Sequence, residues 1–134
     1  MARRARLGLG LVGALLLAAG ARAESVACHV TYGGATQVIE ARPVDSPYGV
    51  TPTAIGSFFL FRIVFRREPA ELASIKLYAY ADRDSGPTLL HQASYAYPAS
   101  NGAVDGFSGR HAVYEPMRDG ELQYWCELKM AAGK

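Results

Sequence analysis

Beyond residue 23 the chain consists almost entirely of short runs in which apolar and polar residues alternate, separated by clusters of Gly, Pro, Asn and Asp. A period of two puts successive side chains on opposite faces of a strand. Helical spacing is nearly absent, so the pattern predicts an all-β chain. Strands are expected near 26–32, 37–42, 58–66, 75–81, 89–97, 111–115 and 122–130, with one helical turn between Pro69 and Ala73. Phe58 to Arg66 is apolar on both faces for most of its length, which predicts a central strand. Turn chemistry supports the divisions: Gly33-Gly34, the run Asp82 to Pro87, and Asp119-Gly120 each favour chain reversal. Two longer connections remain. Residues 43–57 are stiffened by Pro43, Pro47 and Pro52, and residues 98–110 are loosened by Asn101-Gly102, Gly106 and Gly109.

These elements predict one small β-sandwich of about seven strands, with a small closed β-barrel as the alternative. Tyr124-Trp125-Cys126, following Asp119-Gly120, resembles the last cysteine strand of immunoglobulin domains, where a Tyr stands two residues before the Cys. The resemblance implies an immunoglobulin-like sandwich. Its partner cysteine would normally lie in the second strand, whereas here the other cysteine falls in the first, and the lone Trp adjoins Cys126.

The amino-terminal region changes the chemical setting. Arg3, Arg4 and Arg6 precede an apolar run from Leu7 to Gly20, and Ala21-Arg22-Ala23 offers small residues for cleavage. This reads as a cleaved secretory signal peptide over residues 1–23, leaving one all-β domain over 24–134. A membrane span is not expected, because the run covers only 14 positions and contains four glycines. Arg3-Arg4 lacks the usual twin-arginine continuation. The expected location is therefore periplasmic or secreted, an oxidising environment in which Cys28 and Cys126 should pair. Both cysteines share a strand face with apolar neighbours: Val26, Val30 and Tyr32 for the first, Leu122, Tyr124 and Leu128 for the second. The alternative is a lipoprotein anchored at Cys28, prompted by the small residues Ser25-Val26-Ala27 before it, although Arg22 and Glu24 separate that cysteine from the apolar run.

Loss of the four signal-peptide arginines turns the formal net charge from +2 to −2. With no basic cluster longer than Arg66-Arg67, nucleic-acid binding has no electrostatic footprint. No cofactor motif is present. Ser108-Gly109-Arg110-His111 lacks the strand-to-helix setting of an activated serine, and Asp82, Asp84 and Gly86 miss the spacing of a calcium loop. The chain reads as a non-enzyme.

Two functional expectations remain. Tyr78 and Tyr80 alternate with Ile75, Leu77 and Ala79, and Trp125 shares its face with Gln123, Glu127 and Lys129. With Tyr48 on the proline-rich loop, they predict an aromatic surface binding a protein or glycan of the cell envelope. The alternative is a copper or zinc site drawing on His29, His91, His111 and Met117. Of the histidines, His29 is expected to face outward, opposite Cys28, and His91, alternating with Leu89, Ala93 and Tyr95, to take a core-edge position. A structural role in an envelope assembly, through an edge strand, is the third class.

Overall fold

The computed structural model describes residues 24–102 and 104–130; the expected signal peptide lies outside the described residues. Eight strands follow one another: β1 (Glu24–Tyr32), β2 (Ala35–Ala41), β3 (Thr53–Ile55), β4 (Phe59–Arg66), β5 (Ser74–Arg83), β6 (Gly86–Ala96), β7 (His111–Glu115) and β8 (Gly120–Met130). They form two antiparallel four-stranded sheets, β2-β1-β8-β7 and β3-β4-β5-β6. This is a small β-sandwich with no closed barrel, since no ladder joins β2 to β3 or β6 to β7.

One strand more than the pattern predicted is present. β3 is only three residues long and lies inside the proline-bearing segment 43–57, too short to show alternation. The expected helical turn is a 3-10 turn at Ala70–Leu72, and a second one occurs at Pro47–Gly49. The strand order also departs from the A-B-E-D and C-F-G sheets of immunoglobulin domains. Chain neighbours are sheet neighbours except at the two unpaired sides, so the connectivity is an up-and-down meander folded flat.

Side-chain alternation explains the packing. Val26, Cys28 and Val30 of β1, with Leu122, Tyr124 and Cys126 of β8, face Phe59, Phe61, Ile63 and Phe65 of β4 and Ile75, Leu77 and Ala79 of β5 in one core. β4 sits between β3 and β5, the central position its two-sided apolar pattern predicts. Gly33 and Gly34, both at positive φ, make the two-residue turn joining β1 to β2.

Cys28 and Cys126 form a disulfide between directly paired residues of adjacent strands, with Cα atoms 4.0 Å apart. It therefore lies within one sheet, instead of bridging the two as in immunoglobulin domains. Cys28 is wholly buried and its sulfur is engaged with Cys126, the pairing expected of an oxidising environment rather than the free thiol that the lipoprotein alternative needs.

Beyond β7, the segment around Gly106 takes over the free edge of β8. Phe107 N–H donates to the Cys126 carbonyl and Cys126 N–H donates to Ser108 Oγ. Gly106 has φ +61°, and a Cβ there would stand 2.1 Å from the Cys126 carbonyl oxygen, so no other residue fits. At the opposite end of β7, Glu115 is 1% exposed. Its carboxylate accepts from Arg83 of the other sheet at 3.0 Å and from the N–H groups of Met117 and Arg118. Burial pushes its pKa up, but those donors outweigh burial and hold the carboxyl below the ordinary glutamate value.

Candidate functional site

The outer face of the second sheet carries an uninterrupted apolar row. Ala54 pairs with Leu60, Leu60 with Tyr80, and Tyr80 with Leu89, so one line of side chains crosses all four strands. Leu89 reaches this row because of a β-bulge. The register shifts between Ala79 and Tyr80, leaving Leu90 as the extra residue. Leu90 packs against the core and Leu89 turns outward, 50% exposed. Strict alternation predicts Leu89 on the same core-edge face as His91; the bulge puts the two on opposite sides of the sheet.

The next row holds Arg62, Tyr78 and Gln92. The Tyr78 and Tyr80 rings stack with centroids 6.2 Å apart, and the Arg62 guanidinium lies 5.1 Å from the Tyr78 ring. The same guanidinium donates to the carbonyls of Val50, at 2.9 Å, and Pro47. Arg62 thus ties the 3-10 turn at Pro47–Gly49 to the tyrosine face. Tyr48, on that turn, is 95% exposed and its N–H donates to Ser46 Oγ. Three of the four expected aromatic residues therefore belong to one side of the molecule.

Trp125 does not join them. It lies on the outer face of the other sheet, stacked flat against its cross-strand partner His29 at 3.9 Å and 2° between planes. His29 Nε2 also bonds Glu127 Oε2 at 2.7 Å. A shallow depression of about 210 Å³ lies beside the indole, edged by Thr31, Thr36, Arg110 and Gln123. The predicted surface is thus divided between opposite faces of the sandwich.

The histidines also separate. His91 of β6 and His111 of β7 approach across the unpaired side of the sandwich, with ring centroids 5.3 Å apart. His91 Nε2 shares a 2.6 Å hydrogen bond with the Tyr124 hydroxyl, and His111 stacks on the Tyr124 ring. A carbonyl can only accept, so the 3.0 Å contact from His111 Nε2 to the Ser108 carbonyl puts a proton on that nitrogen. Tyr95 donates to the same carbonyl at 3.2 Å. Burial, then the neighbouring His111, lower the His91 pKa, and burial raises those of Tyr95 and Tyr124. These side chains form one hydrogen-bonded and stacked cluster joining the two sheets.

His29 is committed to Trp125 and Glu127, and Met117 stands 73% exposed on the β7–β8 turn. Among the described residues, no three His, Cys, Asp or Glu side chains converge as metal ligands. Ser108 Oγ accepts from Cys126 N–H and donates to the Gly109 carbonyl, so it fastens this segment to β8 through the backbone.

The residues the pattern did not single out are Leu60, Arg62 and Leu89. Leu60 was readable, since its strand is apolar on both faces. Arg62 was not, because its importance rests on contacts with a loop and a neighbouring strand. Comparison with protein-family models, with curated proteins and with solved structures finds no match to this chain.

Proposed function

We propose that this chain is an exported, non-catalytic binding module whose partner is a protein, received on the outer face of the second sheet. The observation that carries the reading is the apolar row Ala54-Leu60-Tyr80-Leu89, open to solvent at Leu89 and flanked by the Arg62-Tyr78 pair. Tyrosine, arginine and an accessible leucine together suit a protein interface, because rings and a guanidinium already held in place lose little freedom on docking. A glycan subsite would need a free ring face with polar groups around it. The ring with the most polar surroundings, Trp125, has one face taken by His29. Tyr48, on its pinned turn, extends the same surface. The disulfide fits a non-cytoplasmic setting, and no helix among the described residues is long and apolar enough to cross a membrane.

The test is a photo-activatable residue placed at Leu89 in producing cells, with Glu121 on the opposite sheet as the control position. A protein adduct specific to position 89 and abolished by Tyr80→Ala is expected. An absence of protein adducts, or equal labelling from both positions, overturns the reading.

A further inference from the structure

We infer that β2 pairs antiparallel with β2 of a second copy about a two-fold axis at Val38, joining two four-stranded sheets into one of eight strands. An exposed edge strand is a template for another chain unless it is short, bulged, interrupted by proline or covered. Of the four edges, β3 has three residues, β7 has five, and β6 carries the bulge and Pro87. β2 runs for seven residues with neither proline nor register shift. Five of its residues, including Thr36, Val38 and Glu40, are exposed.

The backbone parity determines what this edge offers. A two-residue hairpin turn is closed by a hydrogen-bonded pair, here Tyr32 and Ala35, and such pairs alternate along an antiparallel ladder. Gln37, Ile39 and Ala41 then bond inward to β1, while Thr36, Val38 and Glu40 turn their N–H and C=O groups to the free edge. The disulfide gives an independent check on this parity. Because Cys28 bonds toward Ile39, its pair with Cys126 on the other side must be the non-hydrogen-bonded kind, and their 4.0 Å Cα separation is of that close-set type. Among the described residues, none of the backbone hydrogen bonds made outside the ladders engages residues 35–41.

Two-fold axes at any residue from Thr36 to Glu40 keep these outward groups paired, and only the axis at Val38 matches all seven residues of the strand. Centring on Glu40 opposes two carboxylates, and centring on Thr36 runs the pairing into the Gly33-Gly34 turn. Centring on Val38 exchanges both bonds between the two Val38 residues, and sets Thr36 against Glu40 of the second copy on each side of the axis. No like charges meet. Val38, 50% exposed, gains an apolar partner, and the row Trp125-His29-Val38 continues into its symmetry copy. The strand sequence is thus complementary to itself in the longest register its backbone allows.

The test is sedimentation of the oxidised protein from low to high micromolar concentration, with amide exchange read in parallel. A dimer is expected, with exchange at Val38 and Glu40 slowing as concentration rises. Thr36→Glu places a carboxylate opposite Glu40 of the second copy twice per dimer, and should weaken association roughly tenfold. Adding Glu40→Lys to Thr36→Glu should restore it. A monomer throughout the range, exchange at Val38 indifferent to concentration, or undiminished association of the Thr36→Glu variant overturns the inference.

Discussion

Two outer faces built from the same alternating pattern have opposite characters. On the first sheet, Trp125 meets a flat imidazole directly across the ladder, and that imidazole meets a carboxylate, so the large ring is already engaged within the fold. On the second sheet, Tyr80 meets Leu60 on one side and Leu89 on the other, and the row ends in solvent. An outward aromatic becomes available for recognition only when its cross-strand neighbours leave it unsatisfied. Strand periodicity tells which way a ring points; sheet pairing tells whether it is spoken for.

The harshest way to break this contrast is to remove the support under both faces. The disulfide spans 98 residues of sequence, and closing so long a loop limits the unfolded chain by about 4–5 kcal/mol. Replacing Cys28 and Cys126 together by Ala should lower the unfolding free energy by most of that amount, as read by urea titration followed through Trp125 fluorescence. An unchanged midpoint would show that sheet packing alone suffices.

A sharper division comes from two alanine substitutions compared for stability and for partner binding. Trp125→Ala should cost about 1–2 kcal/mol of folding stability, since it removes a stacked ring, and should leave binding intact. Tyr80→Ala should weaken binding by about 2 kcal/mol, with the smaller effect on stability. Calorimetric titration with the cross-linked partner, beside thermal unfolding, checks both; the reverse assignment would exchange the roles of the faces.

The gentlest perturbation is pH. Burial and His111 hold the His91 pKa below 6.5, so the unfolded chain takes up the proton more readily than the folded one. Stability contributed by neutral His91 is complete above pH 6.5 and is lost as pH falls below that value. Thermal midpoints should decline over this interval in the native chain and decline less in His91→Gln. The Glu115 carboxyl, held low by Arg83 and the turn amides, adds a second loss below the ordinary glutamate range. Binding on the tyrosine face, which turns to the opposite side of the sheet from His91, should follow the folded fraction alone.

Most of the architecture was legible because burial on a sheet leaves a period-two trace. Seven strands, the glycine hairpin, the central placement of Phe59–Arg66 and the paired cysteines all follow from local pattern. β3 left no such trace in three residues, and the Leu90 bulge inserted a phase slip that composition does not reveal. The candidate surface was legible only in part. Tyr78 and Tyr80 were visible as an outward pair, but their separation from Trp125 depends on which sheet each strand joins. The pairing of His29 with Trp125, and of His91 with His111, unites residues far apart in sequence and leaves no spacing signature.

The position of the disulfide also governs how the molecule would respond to tension. Glu24 pairs with Met130, so a pull applied through these residues would peel β1 from β8 like a zip. Only four residue pairs, Glu24 with Met130 through Ala27 with Glu127, precede the linked cysteines. Once those separate, the load passes into a covalent link between adjacent strands, and the 97 residues between the two cysteines are shielded from the force. A domain clasped in this way can hang between two tethers while keeping its outer surfaces in shape.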